Sequence, residues 1–367
     1  MTEQELSAYI QAIRRADEAA MEAARRRQAQ LAKPPGSLGQ LEEISIRLAG
    51  VTGQVCPAMG KCRVAVFAAD NGVVAEGVSC TPPAVTMQQA VNMTFRKTGM
   101  SAMAAAFGDD VSVVDVGIDG DVPPVGVLDR KVRRGTGDIA REDAMTRQQV
   151  LDAMAAGMEQ AARARADGVT ALGIGEMGIG NTTTSAAVLA ALTGADIEAV
   201  TGRGGGLTDE GFLRKKEVLR QALALHRPDG NDVIDVLAGV GGLDLAAMTG
   251  AFLGCAHERV PAAVDGFISI AAALCAVRLC PAVRDVLFLS HDSYEVGYRI
   301  AAETLGLQPC LRLGMRLGEG SGCPLLFRVL EGACGVMRGM ATFGEASIED
   351  SYLDEIRAVD AFTVEAT

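Results

Sequence analysis

The chain lacks most of the features that would place it with nucleic acid, membrane or metal. Its 34 Lys and Arg against 46 Asp and Glu give a formal net charge of −12. That leaves no basic field to hold a nucleic-acid backbone or an anionic membrane surface, so any phosphate must be met locally. The opening, MTEQELSAYIQAIRR, is polar and amphipathic. No basic stretch leads into an apolar run, and neither a secretory leader nor an anchor is expected. The longest apolar runs, such as 266–277, fall short of the roughly 20 residues of a membrane span. Histidine is scarce: His226, His257 and His291 stand alone, none at ligand spacing from another histidine or a cysteine pair, so no metal is expected. The nine cysteines are odd in number, scattered and without CxxC spacing, which points to reduced thiols in a cytoplasm and to small core residues.

What the chain does have is apolar material. At 367 residues, 49% of them hydrophobic, it can bury the core of one large α/β domain, or of a large and a small one. Residues 3–31 carry Leu6, Ile10 and Ile13 at helical spacing, and the reading is one amphipathic helix stopped by Pro34, Pro35 and Gly36. Short β-branched runs at 63–69, 111–116, 169–174, 259–264 and 285–289 end in Gly, Asp or Asn or lead into them, and read as buried parallel strands. Alanine-rich helical stretches alternate with them at 147–166, 182–192, 210–225, 267–278 and 294–305. That alternation predicts a doubly wound α/β sheet with its site at the carboxyl ends of the strands. Helical pattern returns at 325–340 and 348–359, and this tail is expected to pack on the N-terminal helix. The division is 1–50 plus 330–367 as a small helical domain and 51–329 as a large α/β catalytic domain.

Several segments could carry chemistry. GIGEMGIGNTTT at 173–184 follows a strand and opens a helix, so its backbone N–H groups could cradle a phosphate; a structural turn accounts for it equally well. It is neither a P-loop nor a dinucleotide fingerprint, which argues against a plain dehydrogenase. RLGMRLGEGSG at 312–322 sets Glu319 among glycines, where a ligand-facing acid competes with a solvated turn glutamate, the better reading on residue type alone. KPPGSLGQLE at 33–42, AADNGVVAEGVS at 68–79 and the glycines of 202–206 and 239–242 are turns or points of close approach. SHDSYEVGY at 290–298 follows a strand and could aim Ser290, His291 and Ser293 into the same cleft. No Ser/His/Asp set can be assembled from spacing.

Taken in order with VTMQQAVNM, GFLRKKEVLRQAL and VDGFISIAAAL, these segments resemble the nicotinate-nucleotide:dimethylbenzimidazole phosphoribosyltransferase family across nearly the whole chain. The resemblance implies a Rossmann-like six-stranded parallel sheet, a small helical domain made from both chain ends, a homodimer, and no cofactor or metal. It implies transfer of ribose 5-phosphate from nicotinate mononucleotide to an aromatic base in cobalamin assembly. By motif position, Glu319 resembles the catalytic base, with Glu176 and Asp265 as supporting acids and Lys215, beside Lys216, as the phosphate lysine. Gly178, Asn181, Ser293, Gly320 and Gly322 resemble the remaining phosphate and ribose contacts. Gln89, Met177, Leu317 and Thr81 resemble the base contacts, with Cys80 and Pro82 beside Thr81. Two departures bear on which base is accepted. Ala69-Asp70-Asn71-Gly72 stands where Gly-Asp-His-Gly is usual, and Tyr298 and Tyr294 stand where histidine and alanine are usual. Rivals are another acceptor (benzimidazole, adenine or a phenol) and a non-catalytic nucleotide-binding homologue.

Overall fold

The computed structural model describes residues 1–123 and 126–354. Strands β1 (Cys62–Ala69), β2 (Asp110–Gly117), β3 (Val127–Asp129), β4 (Ala171–Met177), β5 (Ala262–Val264) and β6 (Leu287–Leu289) form one sheet in the order β3-β2-β1-β4-β5-β6. Every pair is parallel. The chain winds outward from β1 to β3, then restarts at β4 and winds the other way, so the strand order reverses between β1 and β4. A crevice opens at the carboxyl ends of the strands at such a reversal. β4 is buried at every position, as expected for a strand covered by helices on both faces.

Five expectations from the sequence need correction. The single helix over 3–31 is two, Glu3–Gln11 and Glu18–Gln30. Asp17 starts the second, its side chain accepting from Ala20 N–H at 3.0 Å, a capping signal that the amphipathic spacing masked. The strand read at 259–264 begins only at Ala262. Arg259 instead ends the preceding helix in the left-handed region (φ 55) and donates to the Gly50 and Val51 carbonyls. The strand read at 285–289 begins at Leu287, after the 3-10 turn Pro281–Val286. The helix read from 294 starts at Gly297. The last helix, read over 348–359, is a 3-10 turn at Ser351–Leu353 within the described part; its residues from 355 onward lie outside the described residues.

β3 and the helices Gln40–Thr52, Val85–Thr94, Gly99–Phe107, Val233–Val240 and Leu243–Glu258 were not anticipated. The last of these is the structural centre. Every residue from Leu243 to Ala256 is buried, so it shows no polar face from which periodicity could be read. It lies against the helix Arg147–Ala166 almost backbone to backbone. A Cβ at Gly157 would come within 1.8 Å of the Ala247 carbonyl oxygen, and one at Gly250 within 2.0 Å of the Met154 carbonyl oxygen. Only glycine permits that approach.

The helices Glu18–Gln30 and Gln40–Thr52 meet the end of the helix Cys323–Gly339, whereas the N-terminal amine of Met1 pairs with Asp152 at 3.0 Å and Leu6 joins the main core. Ala24, Leu31, Ile46, Ala49 and Met337 form a second apolar cluster. Leu31 bridges Thr342, and Phe343 N–H donates to the Gln30 carbonyl at 3.0 Å. All nine cysteines are unpaired. Among the described residues, no helix is long and apolar enough to cross a membrane.

Candidate active site

The carboxyl ends of β4, β5 and β6 face a cavity of about 250 Å³, closed on its other side by the segments around Ser79 and Leu317. That is close to the lower bound for small-molecule sites. Of the acids singled out from sequence, Glu319, Glu176 and Asp265 all line it. So do Gly178, Asn181 and Ser293, and likewise Gln89, Met177, Leu317, Thr81 and Cys80. Lys215, Gly320, Gly322 and Pro82 are not in its lining.

Glu319 sits in a loop built to expose its carboxylate to one donor. Gly318, Glu319 and Gly320 have φ of 80°, 63° and 82°. The middle value is one that a side-chain-bearing residue adopts at a cost of roughly 1–2 kcal/mol. The loop lies directly on β4, where a Cβ at Gly175 would fall 2.7 Å from the Glu319 carbonyl oxygen. Glu319 Oε2 accepts from Met100 N–H at 3.1 Å. Met100 stands in the first turn of the helix Gly99–Phe107, whose free N–H groups and dipole favour an anion.

Asp265, just past β5, fixes this loop. Its Oδ1 accepts from Gly322 N–H at 2.7 Å and its Oδ2 from Gly320 N–H at 3.1 Å. Burial raises its pKa, and His291 and the loop N–H groups oppose the rise. Gly320 and Gly322, which by resemblance contact phosphate and ribose, give their N–H groups to Asp265. His291 Nδ1 lies 3.0 Å from Ser290 Oγ and 3.8 Å from Asp265 Oδ1. Both neighbours crowd one ring nitrogen and Ser290 is fully buried. A hydrolytic triad needs the nucleophile and the orienting acid on different nitrogens, so this trio is structural.

Glu176, near the end of β4, accepts from Asn181 Nδ2, which also donates to Asp244 Oδ2 at 2.9 Å. Burial and the Asp244 charge push Glu176 up to about 8. Burial pushes Asp244 up to about 6, against hydrogen bonds from Asn181 and its own helix. Sequence reasoning passed over Asp244. Its one signal was an acid directly after Gly241-Gly242-Leu243, the first turn of a helix that periodicity did not reveal.

The cationic part of the site lies behind the glycine-rich loop. Lys215, on the helix Asp209–His226, is fully buried and donates to Thr182 Oγ1 at 2.8 Å and to the Gly202 carbonyl at 3.1 Å. Burial lowers it to about 8, and the Glu295 carboxylate opposes that shift. Lys216 projects about 100° away around the helix; it pairs with Glu198 and lies 4.3 Å over the Phe212 ring. Glu295, Arg203 and Arg316 also line the cavity and were not singled out from sequence. The departures noted at Asn71 and Tyr298 are buried residues outside the cavity lining, whereas Tyr294 is exposed, with Arg316 5.5 Å above its ring.

A family model described as phosphoribosyltransferase matches residues 13–348. The chain belongs to that family. Two curated relatives named nicotinate-nucleotide–dimethylbenzimidazole phosphoribosyltransferase are each 46% identical to it. That of Clostridium perfringens (strain 13) aligns over 91% of this chain and 92% of its own length. That of Geobacter metallireducens aligns over 94% and 98%. The crystal structure of the enzyme of that name from Thermus thermophilus is similar with a TM-score of 0.87 at 43% identity, covering 91% of this chain and 100% of that one.

Proposed function

We propose that this phosphoribosyltransferase moves ribose 5-phosphate from nicotinate mononucleotide to 5,6-dimethylbenzimidazole, releasing nicotinate and forming α-ribazole 5′-phosphate for cobamide assembly. The observation that carries this reading is Glu319, a cavity-lining carboxylate held by Met100 N–H in a loop pinned by Asp265.

The donor's leaving group is already a cationic pyridinium. When the C1′–N bond breaks, its electron pair neutralises that ring, so no acid need protonate it and no second catalytic carboxylate is required, unlike glycoside hydrolysis. The acceptor attacks C1′ with the lone pair of one ring nitrogen, and Glu319 takes the proton from the other. A base in hydrogen-bond reach typically contributes about 10²–10⁴-fold. Attack opposite the departing nicotinate inverts the β-nucleotide to the α-ribotide, and holding the two rings on opposite faces of the ribose supplies much of the remainder.

Lys215, reaching Thr182 and Gly202, sits where it can charge the loop of Gly178 and Asn181 for the donor phosphate. Ser293 completes the phosphate and ribose contacts. Gln89, Met177, Leu317 and Thr81 hold the base. Binding energy from the remote phosphate fixes C1′, so a donor lacking it should lose turnover as well as affinity. The same proposal includes a cytoplasmic homodimer that needs no cofactor. It also includes a small helical domain of 1–50 plus 330–367 on a catalytic domain of 51–329, supported by the second apolar cluster.

The test incubates purified protein with nicotinate mononucleotide and an equimolar mixture of 5,6-dimethylbenzimidazole, benzimidazole, adenine and p-cresol, following nicotinate release and product mass. A dominant dimethylbenzimidazole ribotide is the expected result. Products of adenine or cresol alone would remove the named acceptor, and absence of nicotinate release would remove the transfer reaction.

A further inference from the structure

Glu176 and Asp244 come from different elements, the end of β4 and the first turn of the helix Leu243–Glu258, yet they share one side-chain amide, that of Asn181. Both carboxyls are buried, at 7% and 0% exposure. Asp265 and the Glu319 N–H face Glu176; Asn71 and the Leu245 N–H face Asp244. Among the described residues, no lysine, arginine or histidine pairs with either. Two carboxylates this close, out of water and without a cation, retain a proton between them.

The donors decide which one keeps it. Asp244 Oδ1 accepts from Leu245 N–H at 3.0 Å in the first turn of a 16-residue helix, where the dipole favours an anion. Glu176 lies at a strand end, which offers no comparable dipole. We propose that Asp244 is the charged member of the pair and Glu176 carries the proton, so that Glu176 meets the donor's ribose as a neutral hydrogen-bond donor and proton abstraction is left to Glu319. Asp244 is then a positioning residue, acting through Glu176 and Asn181. Burial raises both carboxyls, and the Asp244 charge adds to the rise of Glu176. The ribose contact rests on the transfer reading, whereas the protonation state does not.

Difference infrared spectroscopy on the ligand-free protein therefore comes first. At pH 7, wild type should show a protonated-carboxyl C=O band that E176Q lacks, and in D244N that band should disappear at a pH lower by about one unit or more. No such band in wild type, or a band unmoved in D244N, would overturn the proposal whether or not the protein transfers ribose.

The second arm measures kcat at saturating nicotinate mononucleotide, which separates Glu176 from titration of Lys215 at the binding step. Wild-type kcat should fall above about pH 8. E176Q, which keeps a donor, should stay within about tenfold of wild type and lose that fall. Inactivation of E176Q to the level of E319Q would make Glu176 a base and overturn the assignment. Loss of kcat in D244N with the alkaline limb unmoved would reduce Asp244 to a structural role.

Discussion

Glu176 lines the cavity and Lys215 lies behind its glycine-rich loop, and burial drives both to the same place, the ammonium down to about 8 and the carboxyl up to about 8. Their neighbours differ. Lys215 rests on two neutral oxygens with one acid, Glu295, opposing its shift. Glu176 has an amide, a backbone N–H and two further acids. Burial sets the size of each shift, but the neighbours determine what a ligand does to it. An arriving phosphate is an anion and raises the lysine's pKa back toward its ordinary value; it gives Glu176 a further reason to stay neutral.

The largest effect is expected at Glu319: E319Q should lower kcat by about 10²–10⁴-fold, while calorimetry finds mononucleotide affinity within a few-fold of wild type. Next is Lys215. K215M should weaken mononucleotide binding by about 10–100-fold, the value of a charge-assisted hydrogen bond or two. It should also leave the thermal midpoint at pH 7 unchanged or higher. The sign follows from the folded lysine's pKa of about 8 lying below its ordinary 10.5. The folded state binds fewer protons between those values, so wild-type stability rises with pH across that window and is lost as pH falls through 8. K215M should lack that rise, which urea titrations at pH 7.5 and 10 would read.

Glu176 gives the opposite slope. Its folded pKa of about 8 lies above the ordinary 4.5, so its contribution is full below 4.5 and is lost as pH rises through 8. E176Q should flatten the decline in stability between pH 5 and 8. The smallest effect belongs to Lys216, whose Glu198 partner is half exposed: K216A should change stability by under about 1 kcal/mol and leave KM for the mononucleotide unchanged. A K216A defect matching that of K215M would mean that the two lysines share one role.

Much of this is legible in the sequence, because strands buried on both faces and loops full of glycine leave strong local marks. β1 and β2 are read close to their limits, β4 (read at 169–174) runs two to three residues later, to Met177, and the acids of GEMG, VDGF and LGEGSG come from motif position. What escaped was whatever tertiary structure decides alone. The helix Leu243–Glu258 is buried all round, so no polar face betrays its period, and Asp244 was lost with it. β3 is three residues long and is a strand only because β2 lies beside it. Arg259 looked like the start of a strand because its left-handed backbone is chosen by the helix it ends. Which of Lys215 and Lys216 is buried needed a helix phase, which only packing supplies.

The close approach at Gly157 and Gly250, each against main-chain atoms of the facing helix, has one more consequence, for how this enzyme can change over generations. It fixes the helix that bears Asp244 by main-chain atoms that no single substitution can trim, and even one added methyl group there would force the two helices apart. The wall proposed to hold the acceptor is made instead of side chains, Gln89, Met177 and Leu317, which can be exchanged without disturbing a backbone contact. Acceptor preference is free to drift while the chemistry stays still, and lineages meeting different aromatic bases could diverge on one wall of an otherwise invariant room.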